Sequence, residues 1–129
     1  MGDVTPLQGE LQMRLMAVLW GLGSGTVEDV RKALPKSHRG AYTTVQTVLN
    51  RLAERGLLAR DRQGAAFVYR PQLSESEYLS RSIEHTLSGA SETARRAALA
   101  QLIGTLSRDE LSDVQRVAED IDRARGRRR

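Results

Sequence analysis

Residues 41–71 read AYTTVQTVLNRLAERGLLARDRQGAAFVYRP, and this stretch restricts the fold more than any other part of the chain. Val45, Val48, Leu49 and Leu52 recur at helical spacing and form one apolar stripe. Gly56 follows where the helix needs a residue that tolerates a left-handed cap. "LLARD" and "AAFVYR" then flank "RQG", two short strand-like runs around a glycine-containing turn, and Pro71 stops the second. A helix joined to a hairpin with almost nothing between them leaves few architectures.

The upstream residues narrow these further. Leu11, Leu15, Val18, Leu19 and Leu22 mark an amphipathic helix that ends among Gly21, Gly23 and Gly25. Thr26, with Asp29 three residues on, caps a short helix carrying Val27, Val30 and Leu34, which Pro35 helps to end. "KSHRGA" reads as a polar loop. Three helices and a hairpin, in that order, predict a winged helix-turn-helix over residues 1–73.

After Leu73 the pattern is helical throughout. Ser74-x-x-Glu77 and Ser107-x-x-Glu110 are capping-box signatures, and Gly89 with Ser91 separates two helices between them. Leu79 and Ile83, Leu102 and Ile103, then Leu111, Val114, Val117 and Ile121 supply apolar faces that such short helices cannot hide among themselves. A helical dimerisation region over residues 74–122 is therefore expected, with a second copy of the chain covering these faces. The fold class is mainly α with a small β-hairpin wing. The arginine-rich end, residues 123–129, reads as a disordered basic tail.

Charge follows the same division. Residues 1–73 carry ten Lys or Arg and six Asp or Glu, residues 74–122 carry five and ten, and residues 123–129 add five arginines, for a net charge of +4. A basic N-terminal part suits a polyanion. With Val45, Val48, Leu49 and Leu52 facing inward, Thr43, Thr47 and Asn50 point away from the core, with Gln46 and Arg51 on the flanks. Such a face offers hydroxyls, methyl groups and amides to base edges. Thr43-x-x-Gln46 also matches a capping box, so these two residues have a helix-capping reading beside the base-contact one. Arg39 in the preceding basic loop, and Arg60, Arg62 and Arg70 on or beside the hairpin, are candidate backbone contacts. The arginines have a second reading, as charges that protect a solvated edge strand.

The alternatives are thinner. With no cysteine, thiolate metal sites, cysteine nucleophiles and thiol switches are excluded. His38 and His85 sit in no nucleophile or metal motif, so no catalytic residue, metal or cofactor is expected. No apolar run approaches a membrane span, and "MGDVTPLQGELQ" lacks the features of a secretory signal, which makes the cytoplasm the expected address with no membrane insertion. The remaining alternative is a winged-helix protein-interaction module that does not read DNA.

"LMAVLW", "TVEDV", "AYTTVQTVLNRLAERGLL" and "GAAFVYRP" resemble, in order and spacing, the penicillinase-repressor family, the BlaI/MecI/CopY group. The resemblance is strong over residues 7–79 and covers 80–122 in layout only. It implies a DNA-binding winged helix, a homodimer on a dyad-symmetric double-stranded operator, and transcriptional repression. By position it places Tyr42, Thr43, Thr44, Gln46, Thr47, Asn50 and Arg51 in the recognition helix and Arg60, Arg62 and Arg70 in the wing. Well-known members are inactivated by proteolysis at an Asn-Phe bond, downstream of a membrane β-lactam sensor; here "RRAALAQLIGTLSRDEL" contains neither residue. The resemblance implies a protease partner; without that pair, either the cleavage sequence differs, with any cut expected between Arg95 and Thr105, or the inducing signal does. Copper-responsive members use C-terminal cysteines, which this chain lacks.

Overall fold

A computed structural model describes Pro6, Leu7 and residues 9–127. The described chain forms two compact units, one ending at Ser88 and one beginning at Gly89. The first holds α1 (Glu10–Leu22), α2 (Val27–Ala33), a 3₁₀ turn (Lys36–His38), α3 (Tyr42–Glu54), β1 (Leu58–Gln63), β2 (Ala66–Pro71) and α4 (Glu75–Ser88). The second holds α5 (Glu92–Ile103) and α6 (Arg108–Gly126).

Each boundary in the first unit has a local cause. Gly23 takes φ +85° and donates to the Leu19 carbonyl, closing α1. Thr26 and Asp29 form a full capping box at the start of α2: the Asp29 amide donates to the Thr26 hydroxyl at 3.1 Å, and the Thr26 amide donates to the Asp29 carboxylate at 3.0 Å. Hydrogen bonding of the carboxylate to Thr26, its backbone amide first, holds the Asp29 carboxyl below its ordinary range. At the end of α3, Gly56 has φ +81° and donates to Ala53, while Leu57 donates to Leu52. This pair of bonds is the Schellman motif, and Leu52 and Leu57 are both buried.

β1 and β2 pair antiparallel, with Arg60 opposite Tyr69 and Arg62 opposite Phe67. Their connection is the two residues Gly64 and Ala65, with a positive φ at Gly64 alone, the pattern of a II′ turn. The turn is thus tighter than the RQG triplet expected from sequence, because Arg62 and Gln63 continue the ladder. Tyr69 also exchanges both backbone bonds with Gly25, at 2.8 and 2.9 Å, so a one-residue bridge ties the α1–α2 loop to the outer edge of the hairpin. Leu15, Met16, Leu19, Val30, Val45, Leu49, Leu52, Leu58 and Tyr69 are fully or almost fully buried and make the core of this unit. Burial of each such aliphatic side chain contributes about 1.5–3 kcal/mol before entropy is counted.

α4 belongs to this first unit. Tyr78 tilts against Trp20 with ring centroids 5.4 Å apart, and its hydroxyl accepts from the Leu7 amide at 2.8 Å. Ser82, one turn further along, is buried. The compact winged-helix unit therefore extends past Leu73, where sequence alone placed the division.

In the second unit, Ser91 caps α5 and Ser107 with Glu110 forms the capping box of α6. α6 runs to Gly126, so residues 123–126 are helical rather than part of a disordered tail. Arg123 pairs with Asp120, and Arg123 and Arg125 place positive charge at the helix C-terminus, where the helix dipole favours it. Arg127 caps this helix, and residues 128 and 129 of the predicted tail lie outside the described residues, as do residues 1–5 and 8 of the N-terminal stretch.

Candidate nucleic-acid interface

The start of α3 presents polar side chains over an apolar base. Val45, Leu49 and Leu52 are buried, while Tyr42, Thr43, Thr44, Thr47 and Arg51 are exposed and Gln46 is partly so. The N-cap is Ala41, which makes no side-chain hydrogen bond to the helix. The capping-box reading of Thr43 and Gln46 is thereby corrected. The helix starts at Tyr42, so Thr43 already lies inside it, beyond the position from which a side chain caps. The first-turn amides are left without a capping side chain, and their partial positive charge suits a phosphate. The Thr47 hydroxyl donates to the Thr43 carbonyl at 2.8 Å, which spends its proton but leaves its methyl group and oxygen lone pairs for a base edge.

Asn50 departs from the outward orientation expected on the helical wheel. Its side-chain oxygen accepts from the Tyr69 hydroxyl at 2.6 Å and from the Arg60 guanidinium at 3.0 Å. Asn50 sits where α3 runs beside the wing, and the hairpin folds back far enough to engage it. Burial raises the pKa of the Tyr69 phenol, with the Arg60 charge acting in the opposite direction; the phenol is therefore a donor at neutral pH.

The arginines differ in their surroundings. Arg60 lies over the Phe67 ring at 4.4 Å, and Arg62 lies 5.7 Å from the same ring. Arg62 also donates to the Gly64 carbonyl at 3.3 Å, inside its own hairpin. Arg70 pairs with Asp61 at 3.1 Å across the ladder, both side chains about half exposed. Arg39 turns inward. Its guanidinium donates to the carbonyls of Arg31, Lys32 and Leu34 at 2.7, 3.0 and 3.1 Å. A seven-residue helix leaves its last carbonyls without partners, and Arg39 fills that need. Arg31 completes the latch by donating to the Gly40 carbonyl at 3.2 Å. Arg39 thus holds the α2–α3 turn, where sequence suggested a direct backbone contact.

The model of the family described as "Penicillinase repressor" matches residues 8–120. The chain belongs to the penicillinase-repressor family. A penicillinase repressor of Bacillus licheniformis is 34% identical over 74 residues, which span 57% of this chain and 58% of that protein. A transcriptional regulator BlaI of Mycobacterium tuberculosis is 31% identical over 122 residues, 93% of this chain and 88% of that protein. Among solved structures, the DNA-binding domain of the repressor BlaI is 33% identical and superposes with a TM-score of 0.50, covering 60% of this chain and 94% of that one.

Within this penicillinase-repressor chain, the sequence-selected apolar residues remain uncovered. On α4, Tyr78 and Ser82 face the core of the first unit, whereas Leu79 and Ile83 are about half exposed. In the second unit, Leu102 and Ile103 on α5 and Val114, Val117 and Ile121 on α6 are exposed, and Leu111 is partly buried. Val114, Val117, Ala118 and Ile121 line one apolar face of α6. No helix of the described residues is long and apolar enough to cross a membrane.

Sequence reasoning missed Phe67 and Tyr69 as parts of the interface. Strand alternation held the signal: once the turn is two residues long, Arg60 and Arg62 must lie opposite these two aromatic side chains.

Proposed function

We propose that this chain is a transcriptional repressor that binds a dyad-symmetric DNA operator as a homodimer. The observation that carries this reading is the surface of exposed Tyr42, Thr43, Thr44, Thr47 and Arg51 and partly exposed Gln46, on a helix anchored by buried Val45, Leu49 and Leu52, in a member of the penicillinase-repressor family. A helix of this kind enters the major groove with its N-terminal half against base edges, while a wing meets the adjoining backbone. The relatives are named as a repressor and a regulator of transcription, and no catalytic constellation is required for that work.

In each unit half-exposed apolar residues, Leu79 and Ile83 in the first and Val114, Val117 and Ile121 in the second, offer a face to a second copy. Two recognition helices in a dimer then meet half-sites about 10 base pairs apart. Joining two weak half-site contacts through one dimer raises affinity by about 10²-fold or more. Relief of repression by proteolysis between Arg95 and Thr105 would discard that gain. Most of this segment lies in α5, which must unwind to enter a protease, while Gly104 and Thr105 lie beyond the helix end and are exposed.

The deciding experiment is enrichment of duplexes from a random pool by the full chain, followed by a mobility shift. A palindromic consensus bound with a dimer's stoichiometry supports the reading; failure to enrich any sequence overturns it. Following the chain's mass in derepressed cells tests the proteolytic step, and an intact chain under derepression would refute it.

A further inference from the structure

The Arg60, Asn50 and Tyr69 side chains form one hydrogen-bonded group joining α3 to the wing, and it has a consequence for how the interface works. Both donors converge on the single side-chain oxygen of Asn50. Tyr69 cannot shift to follow another partner, because its ring is buried and its backbone is paired with Gly25 on one side and Arg60 on the other. Arg60 is fixed twice, by Asn50 at one nitrogen and by the Phe67 ring beneath its plane. A guanidinium has five N–H donors, so most remain available, and Arg60 is exposed.

We propose that Asn50 is a positioning residue. It holds the Arg60 guanidinium at a set place between recognition helix and wing, from which Arg60 meets the DNA backbone, and Asn50 itself reads no base. An asparagine that reads adenine needs its oxygen free to accept from N6–H, and here that oxygen already has two donors. A flexible arginine loses rotamer entropy on meeting a phosphate; one held in advance by an amide and an aromatic face loses less. This inference rests on the DNA-binding reading above.

The test uses the full chain with Asn50→Ala, Arg60→Ala and the double variant, on a duplex enriched by the wild type and on a random-sequence duplex, at several salt concentrations. Asn50→Ala is expected to lose roughly tenfold on both duplexes, as a charge-assisted phosphate contact would. Arg60→Ala should lose at least as much and reduce the slope of log K against log salt by about 1. The double variant should bind no more weakly than Arg60→Ala alone. A loss by Asn50→Ala confined to the enriched duplex, or losses that multiply in the double variant, would make Asn50 a base reader and overturn the proposal, as would unchanged binding by Asn50→Ala. Should Asn50→Ala fail to fold, Arg60→Lys decides: it keeps the charge but loses the planar fork, so the proposal expects it to bind as weakly as Arg60→Ala, and wild-type affinity would refute it. Failure of the wild type to enrich any duplex is a separate result, which removes the DNA-binding reading itself.

Discussion

The Trp20 indole N–H donates to the Leu73 carbonyl at 2.9 Å, and the Trp20 ring meets Tyr78 five residues further along. α1 is thereby fastened to both the end of the wing and the start of α4. A chain ending at Leu73 keeps the first bond and loses the aromatic partner, together with the Tyr78 hydroxyl that satisfies the Leu7 amide. Residues 1–88 should therefore unfold cooperatively, and residues 1–73 should be less stable by about 1–3 kcal/mol. Urea titration followed by fluorescence of Trp20, the single tryptophan, measures this. Equal midpoints for the two fragments would show that α4 adds nothing to the fold.

Thr47→Val and Gln46→Ala address sequence readout. Thr47→Val keeps a methyl group and loses the hydroxyl, whose partner among the described residues is the Thr43 carbonyl of its own helix, so the fold should tolerate it. Each variant should weaken binding to an enriched duplex by about 1–3 kcal/mol and leave random-sequence binding nearly unchanged. Competition titrations with both duplexes provide the measurement, and parallel losses on the two would remove these side chains from base contact.

Among the described residues, Arg62 is held by its own turn and a distant ring. Arg62→Ala should weaken binding to every sequence alike and reduce the salt slope by about 1. Wild-type affinity with an unchanged slope would assign Arg62 to protection of an exposed strand edge instead.

Val117 and Ile121 are about half exposed on the apolar face of α6. Val117→Asp places a charge where the proposed partner would have to desolvate it. Sedimentation at micromolar concentration should show a dimer for the wild type and a monomer for the variant, with operator affinity reduced about 10²-fold. A variant that remains dimeric would move the interface elsewhere.

Asp29 gives the first unit a dependence on acid. Its carboxyl accepts from the Thr26 amide and sits below its ordinary pKa of 3.8 when folded. The cap is complete above that value and is lost as pH falls through the lower folded-state value, because the unfolded chain takes up the proton first. Asp29→Asn should lower the melting temperature at pH 7 and flatten its decline between pH 5 and 2. Parallel pH profiles for variant and wild type would disprove a role for this carboxyl.

Much of the fold was legible because its signals are local. The stripe from Val45 to Leu52, the Thr26-x-x-Asp29 cap and Gly56 each report on a few neighbouring residues, and the structure has them as read. The side chains whose environment depends on distant partners were harder. Arg39 looks like any basic loop residue until the open carbonyls of α2 come within its reach. Asn50 points outward on an isolated helix, and only the folded hairpin brings Tyr69 and Arg60 to it. Tyr78 shares a helix with the outward Leu79, and its place became visible only with Trp20 beside it.

The Schellman closure at Gly56 bears on how such a protein can change over time. Leu57 belongs to the helix cap through its amide and to the base of the hairpin through its carbonyl, which accepts from Gln72 at 2.9 Å. No spare residue stands between the two elements. One inserted residue here would shift β1 by a step and turn its side chains over, carrying Arg60 and Arg62 away from Phe67 and the buried Leu58 out into water. Descendants of this chain can retune their interface by exchanging side chains on either element, but a change of length at this junction would require the whole wing to be built again.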